Sequence, residues 1–166
     1  MEMTSLHVVL LLSALLCSLV AGLLFGFAVV VMPGIAKLSD REFLLAFKHM
    51  DGIIQDNQPL FLLAWVGSIL SMAAALVLVT VNLTGPELYL MWTAAVLYIL
   101  GVQLPTFRFN IPLNNSLQDL EIHSTGESEL KQFRVDFETP WNRWNRIRTL
   151  NAIFAVSALL VLIFRV

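Results

Sequence analysis

The densest set of chemically capable side chains in this 166-residue chain is Trp141-Asn142-Arg143-Trp144-Asn145-Arg146-Ile147-Arg148-Thr149-Leu150-Asn151. Three arginines, three asparagines and two tryptophans lead straight into an apolar run, Ala152 to Phe164. Guanidinium and amide groups are donors that can hold an oxyanion, and arginine keeps its charge at ordinary pH. On a helix, Trp141, Asn145, Arg148 and Ala152 fall on one face at i, i+4, i+7 and i+11. An earlier stretch, Gln103 to Asn114, carries a second polar series. There Gln103, Thr106, Asn110 and Asn114 fall at i, i+3, i+7 and i+11. The candidate ligand-binding residues are therefore Gln103, Arg108, Asn110, Asn114, Trp141, Trp144, Asn145 and Arg148. Two blander readings stay open. Trp141, Trp144, Arg143 and Arg146 have the types that anchor a helix at the membrane interface. Anchoring suits the deeper Arg148 and Asn151 less well than facing a partner helix does, and the whole set could be a self-satisfied network joining two helices.

Other chemistry has little support. The histidines are His7, His49 and His123, and no pair has i, i+3 or i, i+4 spacing. No ExxH or HxxxH metal pattern occurs, and a two-histidine site from His49 and His123 lacks spacing support. Cys17 is the one cysteine, which excludes an intrachain disulfide and CxxC chemistry. There is no glycine-rich phosphate loop and no Ser-His-Asp signature. Neither a metal nor another cofactor is expected, and no catalytic residue is assigned. The expected spans hold no Asp or Glu apart from Glu87 at one end, which argues against a proton relay or a cation-coupled transporter.

The elements that must position these groups are membrane helices. Hydrophobic residues make up 58 % of the chain, charged residues 13 %, and mean hydropathy is +0.79. That charge content is about half of the ~25 % typical of a soluble domain. The expected fold is an all-α membrane protein, a four-transmembrane-helix bundle with short amphipathic helices, forming one domain over residues 1–166. The spans are read at Leu6 to Met32, Pro59 to Val81, Pro86 to Asn110 and Trp141 to Phe164. The first is too long for a signal-peptide core and no basic region precedes it, so it is read as a retained span. Pro33-Gly34 is expected to end it. Pro105 and Pro112 are expected to kink or break the third. Thr139 and Pro140 read as the N-cap and first position of the fourth.

Small residues repeat every fourth position at Ala14, Ser18, Gly22 and Gly26, and again at Gly67, Ser71 and Ala75. Such rows let helix backbones approach closely, within the bundle or against another membrane protein or a second copy. Between the first two spans, Ser39 and Glu42 have capping-box spacing. Phe43, Phe47, Met50 and Ile54 would line the apolar face of an amphipathic helix; His49 and Asp51 are open as site residues, with a solvated face the favoured reading. Leu113 to Thr125 and Glu127 to Phe137 read as two further short amphipathic helices.

Nine of the ten basic residues, Lys37, Arg41, Lys48, Arg108, Lys131, Arg134, Arg143, Arg146 and Arg148, lie in or beside the two long loops; Arg165 is the tenth. The positive-inside rule places those loops in the cytoplasm and both termini outside, in a cell or inner membrane. A net charge of −2 gives no electrostatic case for nucleic acid.

The pairing of Asn110-Ile111-Pro112-Leu113-Asn114 with Trp141-x-x-Trp144-Asn145-Arg146-x-Arg148-Thr149 resembles the DUF1772, or anthrone oxygenase-like, family of integral membrane proteins. The resemblance covers nearly the whole chain. It implies a compact four-span bundle. Most members of that family have no assigned activity, and some fungal members take part in oxidising anthrones to anthraquinones without a recognised metal or flavin. Two functions follow. One is a cofactor-independent oxygenase acting on an anthrone-like or other lipophilic aromatic that enters from the bilayer. The other is a non-catalytic module that binds a lipid, quinone or pigment, or is a small subunit of a membrane complex.

Overall fold

The computed structural model describes residues 5–166. The N-terminal tail, which the charge count assigns to the outer side, lies outside the described residues. Five helices follow one another: α1 (Ser5–Ile35), α2 (Asp40–Gln55), α3 (Pro59–Asn82), α4 (Pro86–Gln118) and α5 (Glu127–Ile163). All but α2 are long and apolar enough to cross a membrane. The all-α membrane bundle is therefore as expected.

The four long helices form a ring in the order α1, α3, α4, α5. α1 packs along both α3 and α5, and α4 packs along α5. The α3–α4 edge is the loose one. Its close packing is confined to the Pro86–Tyr98 portion of α4, next to the short turn that joins the two helices. Toward the long-loop end, α3 and α4 diverge. The core between the helices is aliphatic, with Leu10, Cys17, Met72, Tyr98, Ala155 and Leu159 buried in it.

Three prolines alter the helices without ending them. Pro33, Pro105 and Pro112 each follow, by two residues, a five-residue π segment: Phe27–Val31, Ile99–Gln103 and Thr106–Asn110. In these segments the N–H donates five residues back, as Met32 does to Phe27, Leu104 to Ile99 and Ile111 to Thr106. The widened turn gives room for a proline ring that would otherwise clash with the carbonyl four residues earlier. So Pro33 does not terminate α1, which runs on to Ile35, and α4 is continuous through both of its prolines.

Pro140 does not start a helix either. α5 runs unbroken from Glu127, with Pro140 inside it, so the expected Thr139 cap is absent. Asp136 is exposed, and its carbonyl can turn to water in place of the missing proline N–H. The buried positions Leu130, Phe137, Trp141, Asn145, Arg148 and Ala152 form one uninterrupted stripe across the proline. That packing outweighs the local signal. The expected helix at Leu113 to Thr125 is likewise the end of α4, which stops at Gln118.

α2 lies across the long-loop end, against α5 and the last turns of α4. Its capping box forms as expected, with Ser39 and Glu42 bonded reciprocally. Arg134 of α5 donates to the Ala36 and Leu38 carbonyls, pairs with Asp40 at 3.0 Å and stacks over Phe43 at 4.3 Å. Arg41 donates to Glu127 and to the Ile122 and Thr125 carbonyls.

Only one of the two small-residue rows is an interface. Ser71 and Ala75 of α3 are buried, and Gly67 lies against the Leu16 side chain. In α1 the buried face is Leu10, Ala14, Cys17, Ala21 and Leu24, while Ser18 and Gly22 are exposed. A four-residue step advances about 40° beyond a full turn, so a row started at Ala14 leaves the interface within two steps. The tight glycine is Gly101, where a Cβ would come within 2.7 Å of the Asn151 Cβ. Gly101→Ala should therefore lower the melting temperature in detergent, at a cost of about 1–3 kcal/mol from overpacking. Gly22→Leu should melt like the parent, and a large loss there would show that the α1 row is covered by another helix.

Candidate functional site

α5 contributes the core of the site through Trp141, Asn145 and Arg148, all buried on its inner stripe. Arg148 is 4 % exposed. It forks between two neutral oxygens, donating to Thr106 Oγ1 at 3.0 Å and to Asn145 Oδ1 at 3.0 Å. Its guanidinium carbon lies 5.8 Å from the Trp141 ring centroid. Its Nε–H has no hydrogen-bond partner, and among the described residues it meets no carboxylate. Asn145 is held in turn by donating to the Leu24 carbonyl of α1 at 3.1 Å. Thr106 sits in the second π segment of α4 and donates to Val102 O at 2.8 Å, leaving a lone pair for the arginine.

A second chain of bonds runs toward the loop layer. Trp141 Nε1–H donates to Asn114 Oδ1 at 2.9 Å, and Asn114 Nδ2 donates to Asp51 Oδ1 at 2.7 Å. Asn110 Nδ2 reaches the Trp141 carbonyl at 3.4 Å, while its Oδ1 is buried without a partner.

These groups line a cavity of about 310 Å³. Its other walls are apolar, with Leu24 and Phe27 from α1, Phe47 from α2, and Phe61 and Trp65 from α3. Phe61 and Trp65 stack on each other at 5.5 Å. The cavity occupies the gap where α3 and α4 diverge, and two of its lining residues, Val66 and Phe107, are 47 % and 58 % exposed on the flank that faces lipid. It is the size of a small-molecule site, mostly apolar with a few fixed polar groups.

Of the eight candidates read from sequence, Asn110, Asn114, Trp141, Asn145 and Arg148 line this cavity. Gln103, Arg108 and Trp144 do not. Gln103 is buried next to Tyr98, further along α4, because the wide turns change the helical phase of the polar series. Arg108 is exposed, over the Phe109 ring. Trp144 stacks on Phe109 at 3.8 Å with the rings nearly parallel, and Arg143 covers it. That outer stack suits interfacial anchoring, whereas Trp141 is 5 % exposed and points inward.

Asp51 departs from the solvated reading that its sequence favoured. It is 5 % exposed and lines the cavity instead of facing solvent. The available signal was its i+4 spacing from Phe47, which puts an acid on the apolar face of α2. Phe61 and Trp65, an i, i+4 aromatic pair opening α3, were also overlooked. His49 and His123 line a separate groove on the loop layer with Asp56 and Glu121, away from the cavity. Among the described residues no cluster of three or more His, Cys, Asp or Glu could hold a metal ion.

Residues 57–158 match the family model described as anthrone oxygenase. The chain belongs to the anthrone oxygenase family. No curated protein and no solved structure matches it. The match to the anthrone oxygenase family spans α3, α4 and most of α5, and so includes the arginine fork; Asp51 and the α1 wall lie ahead of it.

The energetics of Arg148 separate a ligand site from a strut. Burying a charge among neutral partners costs several kcal/mol that a paired ion would recover. Arg148→Met should therefore keep or raise the melting temperature of ligand-free protein in detergent. A marked drop would mean that the arginine is there to hold α4 and α5 together.

Proposed function

We propose that this protein is a membrane oxygenase that oxidises a flat, lipophilic, anthrone-like aromatic with molecular oxygen and without a cofactor. The observation that supports it is the buried Arg148 fork at the end of an apolar, lipid-facing cavity. The substrate enters sideways from the bilayer between α3 and α4, past Phe61, Trp65 and Phe107. Its rings occupy the apolar part of the cavity against Trp141. Its carbonyl or phenolic oxygen accepts from Arg148, whose planar, charged guanidinium can hold an enolate. Fixed donors aimed at a developing oxyanion in a dry site lower the barrier with little reorganisation. In net terms a ring methylene loses two hydrogens and gains one oxygen atom, and the other atom of dioxygen leaves as water.

The test is oxygen consumption and quinone formation by the purified protein in mild detergent, supplied with an anthrone. Arg148→Lys should lower turnover by about 10²-fold, because an ammonium replaces the fork with a point charge. Arg146→Lys, on the exposed face, should stay near the parent. An inert parent that carries a co-purified lipid, quinone or pigment would establish the non-catalytic binding module, and one with an empty cavity and a stoichiometric protein partner would establish the small-subunit role.

The proposed orientation puts the long loops and the cavity's polar end in the cytoplasm, with both termini outside, and the distribution of lysine and arginine supports it. In intact cells, an impermeant thiol reagent should label a cysteine placed near Leu83 or Val166 and spare one near Ser128. The opposite pattern would invert the assignment.

A further inference from the structure

The cavity carries an unpaired charge of each sign. The Arg148 guanidinium lies over the Trp141 ring, and Asp51 is linked to the indole N–H through Asn114. Neither charge is spent on an ion pair among the described residues. Three acids of the loop layer are committed elsewhere: Asp40 and Glu138 to Arg134, and Glu127 to Arg41. Asp51 is held by amides alone. One oxygen accepts from Asn114, and the other from Gln118 Nε2 at 2.8 Å and Gln55 Nε2 at 2.8 Å. A carboxylate has about four acceptor positions, so these three bonds orient Asp51 and leave it one to use. Opposite charges lining one apolar cavity would gain by meeting. Both side chains line the same cavity, so a flat ring held there can present an oxygen to one and an acidic C–H to the other.

We propose that Asp51 is the catalytic base, taking a proton from the ring carbon across from the oxygen that Arg148 holds. This rests on the oxygenase reading above. Asp51 accepts the proton, and the electron pair of the broken C–H bond moves into the ring as an enolate on Arg148. Dioxygen takes one electron from the enolate and the two radicals combine, forming a C–O bond and a peroxide anion. Asp51 returns its proton to that anion, giving a hydroperoxide. Asp51 then removes the remaining hydrogen from the same carbon. The C=O bond forms, the O–O bond breaks, and hydroxide leaves, taking the proton from Asp51 to become water. The carboxylate ends as it began. Neither Arg148 nor the cavity amides could accept a proton in this way, since a guanidinium has no lone pair to offer and a neutral amide is far too weak a base. α2 thus does more than cover the bundle: it carries the base into a site whose other members come from the spans.

The test uses the full chain, with Asp51→Ala and Asp51→Asn, assayed for anthrone oxidation with and without sodium formate. Substrate binding is read separately by quenching of tryptophan fluorescence, and folding by melting in detergent. Both variants should lose about 10²-fold or more in turnover while still binding substrate. Formate should restore a concentration-dependent part of the rate to Asp51→Ala, whose truncated side chain leaves room for it, and none to Asp51→Asn. A variant that turns over like the parent would overturn the proposal and leave the oxygenase reading standing, provided Arg148→Lys still loses rate. A loss that formate does not touch would make Asp51 a structural residue. A parent inert toward every anthrone would remove both readings together.

Discussion

A permanently charged group held in apolar surroundings without a counter-charge is the constraint to which this molecule answers. Arg148 cannot shed its proton at ordinary pH and cannot reach water without leaving the bundle. Its position therefore depends on neutral oxygens being in place beforehand. Thr106 offers one because its own hydroxyl proton is spent on Val102. Asn145 offers the other because its amide is tied to the Leu24 carbonyl. The fork thereby links α1, α4 and α5, three of the four helices of the ring. α3 contributes none of these bonds, and it is the helix free to stand apart from α4.

That freedom has a covalent origin. A proline inside a helix removes a donor and crowds the carbonyl four residues earlier. Here each of Pro33, Pro105 and Pro112 is accommodated by a wide turn just ahead of it. In α4 the two wide turns follow closely on one another, and the second begins the portion that faces the cavity. Thr106 and Asn110 are the first and last residues of the second one. The same irregularity that lets α4 continue past its prolines thus supplies both polar groups to the site and the divergence from α3 that makes room for a ligand.

The loop layer completes the enclosure. α2 is clamped by Arg134 and by the aromatic cluster of Phe43, Phe47 and Phe137, with Phe47 and Trp141 at 5.1 Å. Continuing α5 through Pro140 is what makes this possible, because Phe137 and Trp141 must share one face to pack beneath α2. A helix that began at Pro140 would disconnect the loop layer from the span. The bonds from Trp141 to Asn114 and from Asn114 to Asp51 then join the membrane part of the site to its one buried acid.

The sequence by itself determined the membrane class, the four spans, the capping box of α2 and the family, and five of its eight candidate residues line the cavity. These follow from hydropathy, from local spacing and from residue types whose burial has few explanations. Tertiary packing decided the rest. Whether Ser18 and Gly22 meet a helix depends on which face of α1 its neighbours take, and a four-residue row drifts off that face. Whether Pro140 starts a helix or lies within one depends on the stripe that continues across it. Gln103, Arg108 and Trp144 share the local signals of the cavity residues, yet wide turns and a ring stack send them elsewhere. Asp51 read as solvated because α2 considered alone must turn its charges to water. Only the arrival of Asn114 and Gln118, beside Gln55 of its own helix, makes burial affordable, and α4, which supplies both arriving amides, lies more than sixty residues away in the chain.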